Sequence, residues 1–353
     1  MWRRLAAVAA GLVLGAASLV SLGLVLPAQA ATTDAKAASI AGLDEFGACM
    51  AGAGRGSLVF LIDQSGSLRQ SDPDKARVTA GHYLADRLAS FAQSAKVTLD
   101  VRVAGFAADY AAAGEWTAIS EASSGAIKQT ITQVGEDIKN FDTDYWNALE
   151  GARADLVGHD SSGCRAIAWF SDGAFDLDVR TSDSAKDQFG TDKGYAPGAD
   201  LSTQEGTAAA EQAGVSDLCR PTGVVDQTRA AGITILGIGL NDGSADFSLM
   251  RRITEAAGKD VDGLERCGDQ TQPVGEFYPV SDIDSLLMAF DSIAAAGTTV
   301  DTRNISICQA KACTQGEVAF VLDGALDEAH ILASSSVDGL DAYLYRPGQD
   351  EPL

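Results

Sequence analysis

The sequence predicts an α/β fold in which a doubly wound, mostly parallel sheet carries helices on both faces. Two continuous apolar runs, residues 58–62 and 166–170, are the basis of this prediction. Runs of this length that end in polar turn residues are typical of strands buried on both faces, and such strands form the middle of helix-covered parallel sheets. Between the two runs, Leu84, Leu88 and Phe91 repeat at helical spacing, which indicates a helix that covers the sheet.

The remaining elements follow from periodicity and from capping residues. Asp72 suits a helix N-cap and Pro73 the first helical position, and Ser281 suits the cap of a closing helix. Apolar, β-branched runs predict strands, and amphipathic runs predict helices. We therefore expect strands at 97–107, 115–119 (a short edge strand), 233–240 and 276–280, and helices at 123–138, 145–157, 224–231, 247–257 and 281–295.

The first 56 residues are predicted to lie outside the α/β domain. Residues 1–30 have the features of a secretory signal peptide, because Arg3 and Arg4 precede an apolar core that ends in an A-x-A cleavage pattern. The apolar core is about long enough to span a bilayer, so an uncleaved anchor is the alternative. Residues 31–56 are rich in Ala, Gly and Ser, which indicates a linker whose end is held by Cys49. We therefore expect a secreted or cell-surface protein.

Two further segments depart from the α/β pattern. Residues 175–216 are polar, acidic and rich in glycine, and they follow the second apolar run, so they form an insert beyond the end of that strand. Residues 296–353 alternate without helices, with predicted strands at 317–322, 329–334 and 340–346. This pattern resembles the start of a small β-sandwich-like domain, and such modules need about 100 residues. We expect this β-rich domain to be truncated, and its missing part could carry a membrane anchor or a catalytic domain.

The composition is strongly acidic, with 26 Lys and Arg against 49 Asp and Glu and a formal net charge of −23. Such a surface repels nucleic acid and anionic membranes and favours cations and basic partners, although acidity also serves solubility. The sequence contains no P-loop, no H-E-x-x-H and no C-x-x-C, and its three histidines are scattered. These observations argue against a nucleic-acid partner, a small-molecule cofactor and a zinc site.

Oxygen-bearing side chains gather near the ends of the two apolar runs. Asp63, Ser65 and Ser67 follow the first run, Asp172 follows the second, and Thr143 lies in a polar loop before a predicted helix. Ligand sites of open parallel sheets lie beyond the carboxyl ends of the strands. Carboxylate and hydroxyl oxygens are hard ligands that suit Mg²⁺ or Ca²⁺ and not zinc or copper. We therefore predict a Mg²⁺ site here, which Ca²⁺ or Mn²⁺ could also occupy.

This pattern resembles the metal-ion-dependent adhesion site (MIDAS) of von Willebrand factor type A (VWA) domains, here of an exported bacterial, actinobacterial-like type. The resemblance covers residues 57–295 and rests on D-x-S-x-S after one buried strand, a distant threonine, and S-D-G after another. The five residues named above fall on the five positions of that motif. For D-x-S-x-S alone, a helix N-cap cluster is the alternative.

The resemblance implies both an architecture and a mode of metal binding. The fold would be Rossmann-like, with Asp63 and Asp172 on adjacent central strands. The hydroxyls of Ser65, Ser67 and Thr143 would contact the metal, while the two aspartates would act largely through bound water. One open octahedral position would then accept a Glu or Asp carboxylate from a partner protein.

Six cysteines in an exported chain predict disulfide bonds, for which 15 pairings exist. Cys308 and Cys313 bracket a short loop, which favours a local bond, while buried free thiols are the alternative for some of the six. In the type A fold the strands after Cys49 and Cys164 are neighbours, so the resemblance implies that these two cysteines bond. That leaves one further pair, Cys219 and Cys267.

The function implied by the resemblance is adhesion or protein binding without catalysis. One alternative is a structural module of a larger surface protein, in which the metal only stabilises the fold. A less favoured alternative is a hydrolase with Asp63 and Asp172 as acid and base, or with Ser65 as nucleophile. Ser65 lacks the G-x-S-x-G elbow, because Asp63 stands where the first glycine belongs.

The acidic insert is expected to select the partner, because any Glu or Asp could bind the metal itself. The insert begins three residues after Asp172. Asp176 and Asp178 would repel a uniformly acidic partner and favour one whose metal-binding acid is flanked by basic residues. Phe189 and Tyr195 are candidate apolar anchors. A disordered acidic loop without a role is the alternative.

Overall fold

The computed structural model describes residues 41–139, 141–159, 163–240, 245–255, 266–279, 343–346, 348–349 and 351. These ranges contain the strands β1 (Arg55–Asp63), β2 (Thr98–Phe106), β3 (Tyr110–Ala118), β4 (Cys164–Ser171), β5 (Ile233–Gly239) and β6 (Glu276–Pro279). They also contain the helices α1 (Ala41–Ala53), α2 (Leu68–Ser71), α3 (Ala76–Ser94), α4 (Glu121–Glu136), α5 (Tyr145–His159), α6 (Asp183–Phe189), α7 (Gln204–Cys219), α8 (Val224–Ala230) and α9 (Ser248–Thr254).

Several predictions fall on other parts of the chain. The signal peptide at 1–30, the closing helix at 281–295 and the bond between Cys308 and Cys313 lie outside the described residues, as does nearly all of the β-rich domain at 296–353. No helix in the described ranges is both long enough and apolar enough to cross a membrane.

The six strands form one sheet in the order β3-β2-β1-β4-β5-β6. All neighbouring strands are parallel except β3, which pairs antiparallel with β2 at one edge. This is the doubly wound, mostly parallel α/β architecture that the sequence predicts. The strands β1 and β4 are central neighbours, so the segments that carry Asp63 and Asp172 lie side by side.

Both faces of the sheet are buried, as the continuous apolar runs predicted. In β1, Leu58, Phe60 and Ile62 face one hydrophobic cluster, which includes side chains of α1, α3 and α4. Val59 and Leu61 face the second cluster, which includes side chains of α5, α7 and α8. All five are at most 1 % exposed, and burying each such side chain stabilises the fold by about 1.5–3 kcal/mol. This packing fixes the position of the carboxyl end of β1.

The described end of the predicted linker at 31–56 is helical rather than a linker. Residues 41–53 form α1, and its side chains Phe46 and Met50 are 2 % and 0 % exposed. Alanine and glycine dominate its sequence, so composition alone indicated a flexible segment. The burial of two large apolar side chains against the sheet explains why the segment is part of the fold.

The edge strand and the insert also differ from expectation. β3 spans Tyr110–Ala118 instead of 115–119, because pairing with β2 extends over alanines that give little strand signal in the sequence. The insert at 175–216 contains α6 and most of α7. The side chains of Ser182 and Thr203 cap these two helices by accepting backbone hydrogen bonds. The insert is therefore folded.

Two disulfide bonds tie the ends of elements to the sheet. Cys49 on α1 is bonded to Cys164 at the start of β4, and Cys219 at the end of α7 is bonded to Cys267. Both pairings match the predicted ones. The first bond holds α1 at the amino-terminal end of the central strand β4, opposite the end that carries the candidate metal site.

Opening the Cys49–Cys164 bond should destabilise the domain more than opening the Cys219–Cys267 bond. The two bonds join residues 115 and 48 positions apart, and a longer closed loop restricts the unfolded chain more. We expect each double Cys→Ser variant to lose about 2–5 kcal/mol of unfolding free energy, with the Cys49/Cys164 variant losing about 0.8 kcal/mol more. Urea denaturation measures both. Wild-type stability in the Cys49/Cys164 variant would contradict the assigned pairing.

Candidate functional site

The candidate site lies where β1 and β4 end. Asp63 is the last residue of β1, and Asp172 follows the last residue of β4, Ser171. Ser65 and Ser67 lie in the turn between β1 and α2. Asp63, Ser65 and Asp172 are buried, with 0 %, 3 % and 2 % exposure, whereas Ser67 is exposed. The site is therefore a buried polar cluster that reaches the surface at Ser67.

A chain of hydrogen bonds joins four of the five predicted metal-binding residues. The backbone N–H of Ser65 donates to Asp63 Oδ1 at 2.7 Å. Ser65 Oγ and Ser67 Oγ are hydrogen-bonded at 3.0 Å, and Ser67 Oγ donates to Asp172 Oδ1, also at 3.0 Å. The structure thus brings together residues that lie 105 positions apart in the sequence.

Thr143 is at the same end of the sheet but is held by its backbone. Its N–H donates to the carbonyl of Asp176 at 2.7 Å, and its carbonyl accepts from the N–H of Asp176 at 3.3 Å. The next N–H, that of Asp144, donates to the carbonyl of Ala107, just beyond β2, at 3.0 Å. Within the described part of the chain, the Thr143 hydroxyl makes no hydrogen bond to the other four residues. The structure therefore places Thr143 at the same end of the sheet as the cluster without joining it to the cluster through the side chain.

Three residues that the sequence did not single out support the two aspartates. Ser171 Oγ donates to Asp63 Oδ2 at 2.6 Å, and Ser71 Oγ donates to Asp172 Oδ2. The Tyr145 hydroxyl donates to the carbonyl of Gly173 and lies 3.3 Å from Ser171 Oγ. Ser171 could have been found from the parallel pairing of β1 with β4, which sets it beside Asp63. Ser71 and Tyr145 had no such signal.

Burial makes the ionised state of both aspartates costly. Burial, and then the charge of Asp172, raise the pKa of Asp63 from 3.8 to about 7, against the opposing hydrogen bonds from Ser171 and Ser65. Burial also raises the pKa of Asp172, which the hydrogen bonds from Ser71 and Ser67 oppose. In the described residues no lysine or arginine forms a salt bridge with either carboxylate. A bound cation would therefore stabilise both in the ionised form.

The donor set fits a hard divalent cation. The candidate ligands are carboxylate and hydroxyl oxygens, which Mg²⁺ prefers, and neighbouring ligands of octahedral Mg²⁺ lie about 3.0 Å apart when metal–oxygen distances are about 2.1 Å. Ser67 Oγ lies 3.0 Å from Ser65 Oγ and 3.0 Å from Asp172 Oδ1. No group of three or more His, Cys, Asp or Glu side chains in the described ranges is placed to hold a metal. Metal binding here would therefore depend on the serine hydroxyls.

The four candidate recognition residues of the insert lie in different environments. Asp176 and Asp178 are exposed, and Phe189 is half-exposed and stacks on Phe141 with ring centroids 4.3 Å apart. Tyr195 differs from the predicted free anchor, because its ring packs 4.9 Å from that of Trp146. Partner selection by these residues stays a prediction.

No protein-family model and no curated protein matches the chain. Solved structures with similarity include the PilB minor pilin of Streptococcus sanguinis, at 14 % identity and a TM-score of 0.46, over 68 % of this chain and 60 % of the pilin. A von Willebrand factor type A protein of Catenulispora acidiphila has 15 % identity and a TM-score of 0.37, over 68 % and 42 % of the two chains. The vWF domain of the type V pili tip protein Mfa5 of Porphyromonas gingivalis has 13 % identity and a TM-score of 0.41, over 71 % and 98 %.

This chain spans about 60 % of the minor pilin. The observed strand order establishes a doubly wound, mostly parallel α/β fold with Asp63 and Asp172 at the ends of neighbouring strands, and the VWA resemblance stays a prediction from the sequence.

The stability of the metal-free domain should depend on pH through Asp63. Because its pKa is higher in the folded protein than its ordinary value of 3.8, the folded state keeps a proton that the unfolded state releases. This contribution to stability is therefore lost as the pH rises from about 4 to about 7. In EDTA, we expect Tm to fall more steeply over this range in wild type than in Asp63→Asn. Mg²⁺ should raise the Tm of wild type more at pH 8 than at pH 5. Parallel pH profiles of the two proteins would contradict this assignment.

Proposed function

We propose that this protein is an extracellular or cell-surface adhesion module that binds a partner protein through a divalent cation, with Mg²⁺ preferred. The observation that carries the proposal is the hydrogen-bonded cluster of Asp63, Ser65, Ser67 and Asp172 at the carboxyl ends of two neighbouring parallel strands. The cluster is buried except at Ser67, so a partner would approach it from the Ser67 side.

The hydroxyls and the carboxylates of the candidate site have different proposed roles. The hydroxyls of Ser65, Ser67 and Thr143 would hold the cation. Asp63 fixes the turn by accepting the N–H of Ser65, and Asp172 orients the hydroxyl of Ser67. When bound, the cation would supply an electrophilic position that a Glu or Asp of the partner completes. The small number of anionic ligands from the chain itself favours such an external carboxylate.

Binding is better supported than hydrolysis. Ser65 Oγ is hydrogen-bonded to Ser67 Oγ, and the side-chain partners of Asp63 and Asp172 are serines. A nucleophilic serine needs a neighbouring general base. In the described residues no histidine or lysine contacts the cluster. We therefore propose that this site binds and does not catalyse.

The exposed charges of the insert favour a partner protein whose metal-binding Glu or Asp is flanked by basic residues. Its cations Arg180 and Lys193 are 0 % and 7 % exposed, which leaves Lys186 as the cation of the insert at the surface. The exposed aspartates of the insert are Asp176, Asp178, Asp183, Asp187, Asp192 and Asp200. The outer surface is thus more acidic than a count of charges indicates, and it favours complementary basic groups.

The disulfide bonds support the proposed location outside the cytoplasm. Cys49–Cys164 and Cys219–Cys267 are both formed, and such bonds persist mainly in oxidising compartments.

A pull-down from cell-surface and extracellular material tests the proposed function. Immobilised protein should retain a partner in Mg²⁺ and release it in EDTA, and Asp63→Ala should retain none. Asp86→Ala is the matched control, because Asp86 lies on α3 and pairs with Lys128 at the surface. Increasing salt should weaken retention of the partner, because salt screens the charges of the exposed aspartates of the insert.

Equal retention in Mg²⁺ and EDTA, or by Asp63→Ala, would contradict metal-dependent adhesion. A rise in Tm with Mg²⁺ but no retained partner would favour the structural module instead.

A further inference from the structure

The insert and the loop that carries Thr143 share a buried ionic cluster. Asp142 and Asp144 flank Thr143 and are 2 % and 0 % exposed. The insert supplies the cations Arg180 and Lys193, which are 0 % and 7 % exposed. Two buried carboxylates thus face two buried cations, so each aspartate beside Thr143 depends on the insert for its counter-charge.

Arg180 holds Asp142 with a two-pronged contact. Its Nη1 donates to Asp142 Oδ1 at 2.8 Å and its Nη2 donates to Asp142 Oδ2 at 2.5 Å. The N–H of Asp178 adds a third hydrogen bond to Oδ1 at 2.7 Å. Asp142 has a φ of 42°, a left-handed conformation that is uncommon outside glycine, although aspartate adopts it more readily than most other residues. The contacts to Arg180 and Asp178 hold the backbone in this conformation directly before Thr143.

Lys193 and Tyr195 hold the other side of Thr143. Lys193 Nζ lies 2.9 Å from Asp144 Oδ2 and donates to the carbonyl of Ala108 at 2.7 Å. The Tyr195 hydroxyl donates to the same Asp144 oxygen at 3.0 Å. This hydrogen bond explains why the Tyr195 side chain points towards the loop and not outward from the insert.

We propose that Arg180 and Lys193 are positioning residues of the metal site, which set the place of the Thr143 hydroxyl relative to Ser65 and Ser67. Among the described residues, Thr143 itself is hydrogen-bonded through its backbone, to Asp176 of the same insert. The insert would then be part of the metal site and not only a recognition surface. This inference rests on the proposed function and deepens it, because a partner that contacts the insert would also influence the affinity for the metal.

Loss of one buried cation should displace Thr143. Lys193 Nζ lies 3.4 Å from Asp142 Oδ2 and 2.9 Å from Asp144 Oδ2, so without Arg180 these two buried carboxylates share a single described cation. Two buried carboxylates with one counter-charge are strongly unfavourable, so Asp142 moves towards water and changes the loop between Asp142 and Asp144. Changes in residues that orient metal ligands typically weaken metal affinity by about 10- to 100-fold, and we expect Arg180→Met to weaken Mg²⁺ binding by such a factor.

Calorimetric titration with Mg²⁺ tests this inference through a double-mutant cycle. Arg180→Met and Thr143→Ala should each weaken binding, and the double variant should bind about as weakly as Thr143→Ala alone, because both changes remove the same ligand. The matched control is Arg229→Met. Arg229 is 2 % exposed and donates to the carbonyls of Cys267, Gln270 and Ile253. Its loss should lower Tm without a change in Mg²⁺ affinity.

Hydrogen exchange of the Thr143 and Asp144 amides in EDTA provides a second measurement that needs no metal. Exchange should be faster in Arg180→Met than in wild type and unchanged in Arg229→Met. If Arg180→Met does not fold, Tyr195→Phe removes one hydrogen bond to Asp144 and should show the same effects to a smaller extent.

Wild-type Mg²⁺ affinity in Arg180→Met or Tyr195→Phe, or fully additive effects in the cycle, would overturn the inference. Failure of the proposed function has a different outcome, since wild type itself would then bind no Mg²⁺. In that case, faster exchange in Arg180→Met would support only the role of Arg180 in holding the Thr143 loop, and unchanged exchange would overturn that role as well.

Discussion

Asp63 and Asp172 are buried carboxylates at the ends of neighbouring parallel strands, and the surrounding structure offsets only part of the free energy that their charges cost. Hydrogen bonds from Ser65, Ser67, Ser71 and Ser171 reach the two groups. Burial nevertheless raises the pKa of both, and an uncompensated buried charge costs several kcal/mol. A divalent cation bound among these oxygens would supply a counter-charge that no salt bridge from the described residues provides.

The two halves of the candidate site are held in place by different means. Asp63 and Asp172 lie at the ends of strands whose side chains are buried on both faces of the sheet, so the hydrophobic core fixes them. Thr143 lies in the loop between α4 and α5, and salt bridges from the insert hold the residues beside it. The site thus joins a rigid half that belongs to the fold with a second half that depends on buried charge pairs.

Local sequence pattern was sufficient for the parts of the structure that the core determines. The apolar runs at 58–62 and 166–170 predicted β1 and β4, and the polar residues after them predicted where the candidate site lies. The resemblance implied the neighbouring position of these strands and the Cys49–Cys164 bond, and the structure confirms both.

The features that the sequence did not predict depend on contacts between distant residues. The high alanine and glycine content of residues 41–53 did not predict α1. The burial of Phe46 and Met50 fixes this helix on the sheet. The charges of the insert suggested an exposed surface, whereas Arg180 is fully buried against Asp142, 38 positions earlier in the chain. Charge patterns do not show which ions face water, because pairing across the fold decides it.

We propose that Asp63, Ser65, Ser67, Thr143 and Asp172 form one metal site. The most direct measurement is an anomalous difference map from crystals of the protein grown with Mn²⁺, an ion that suits the same oxygen ligands. We predict one strong peak about 2.0–2.6 Å from the hydroxyl oxygens of Ser65 and Ser67, and its absence in crystals of Asp63→Ala. A peak among the aspartates of the insert instead, or no peak at this end of the sheet, would contradict this assignment.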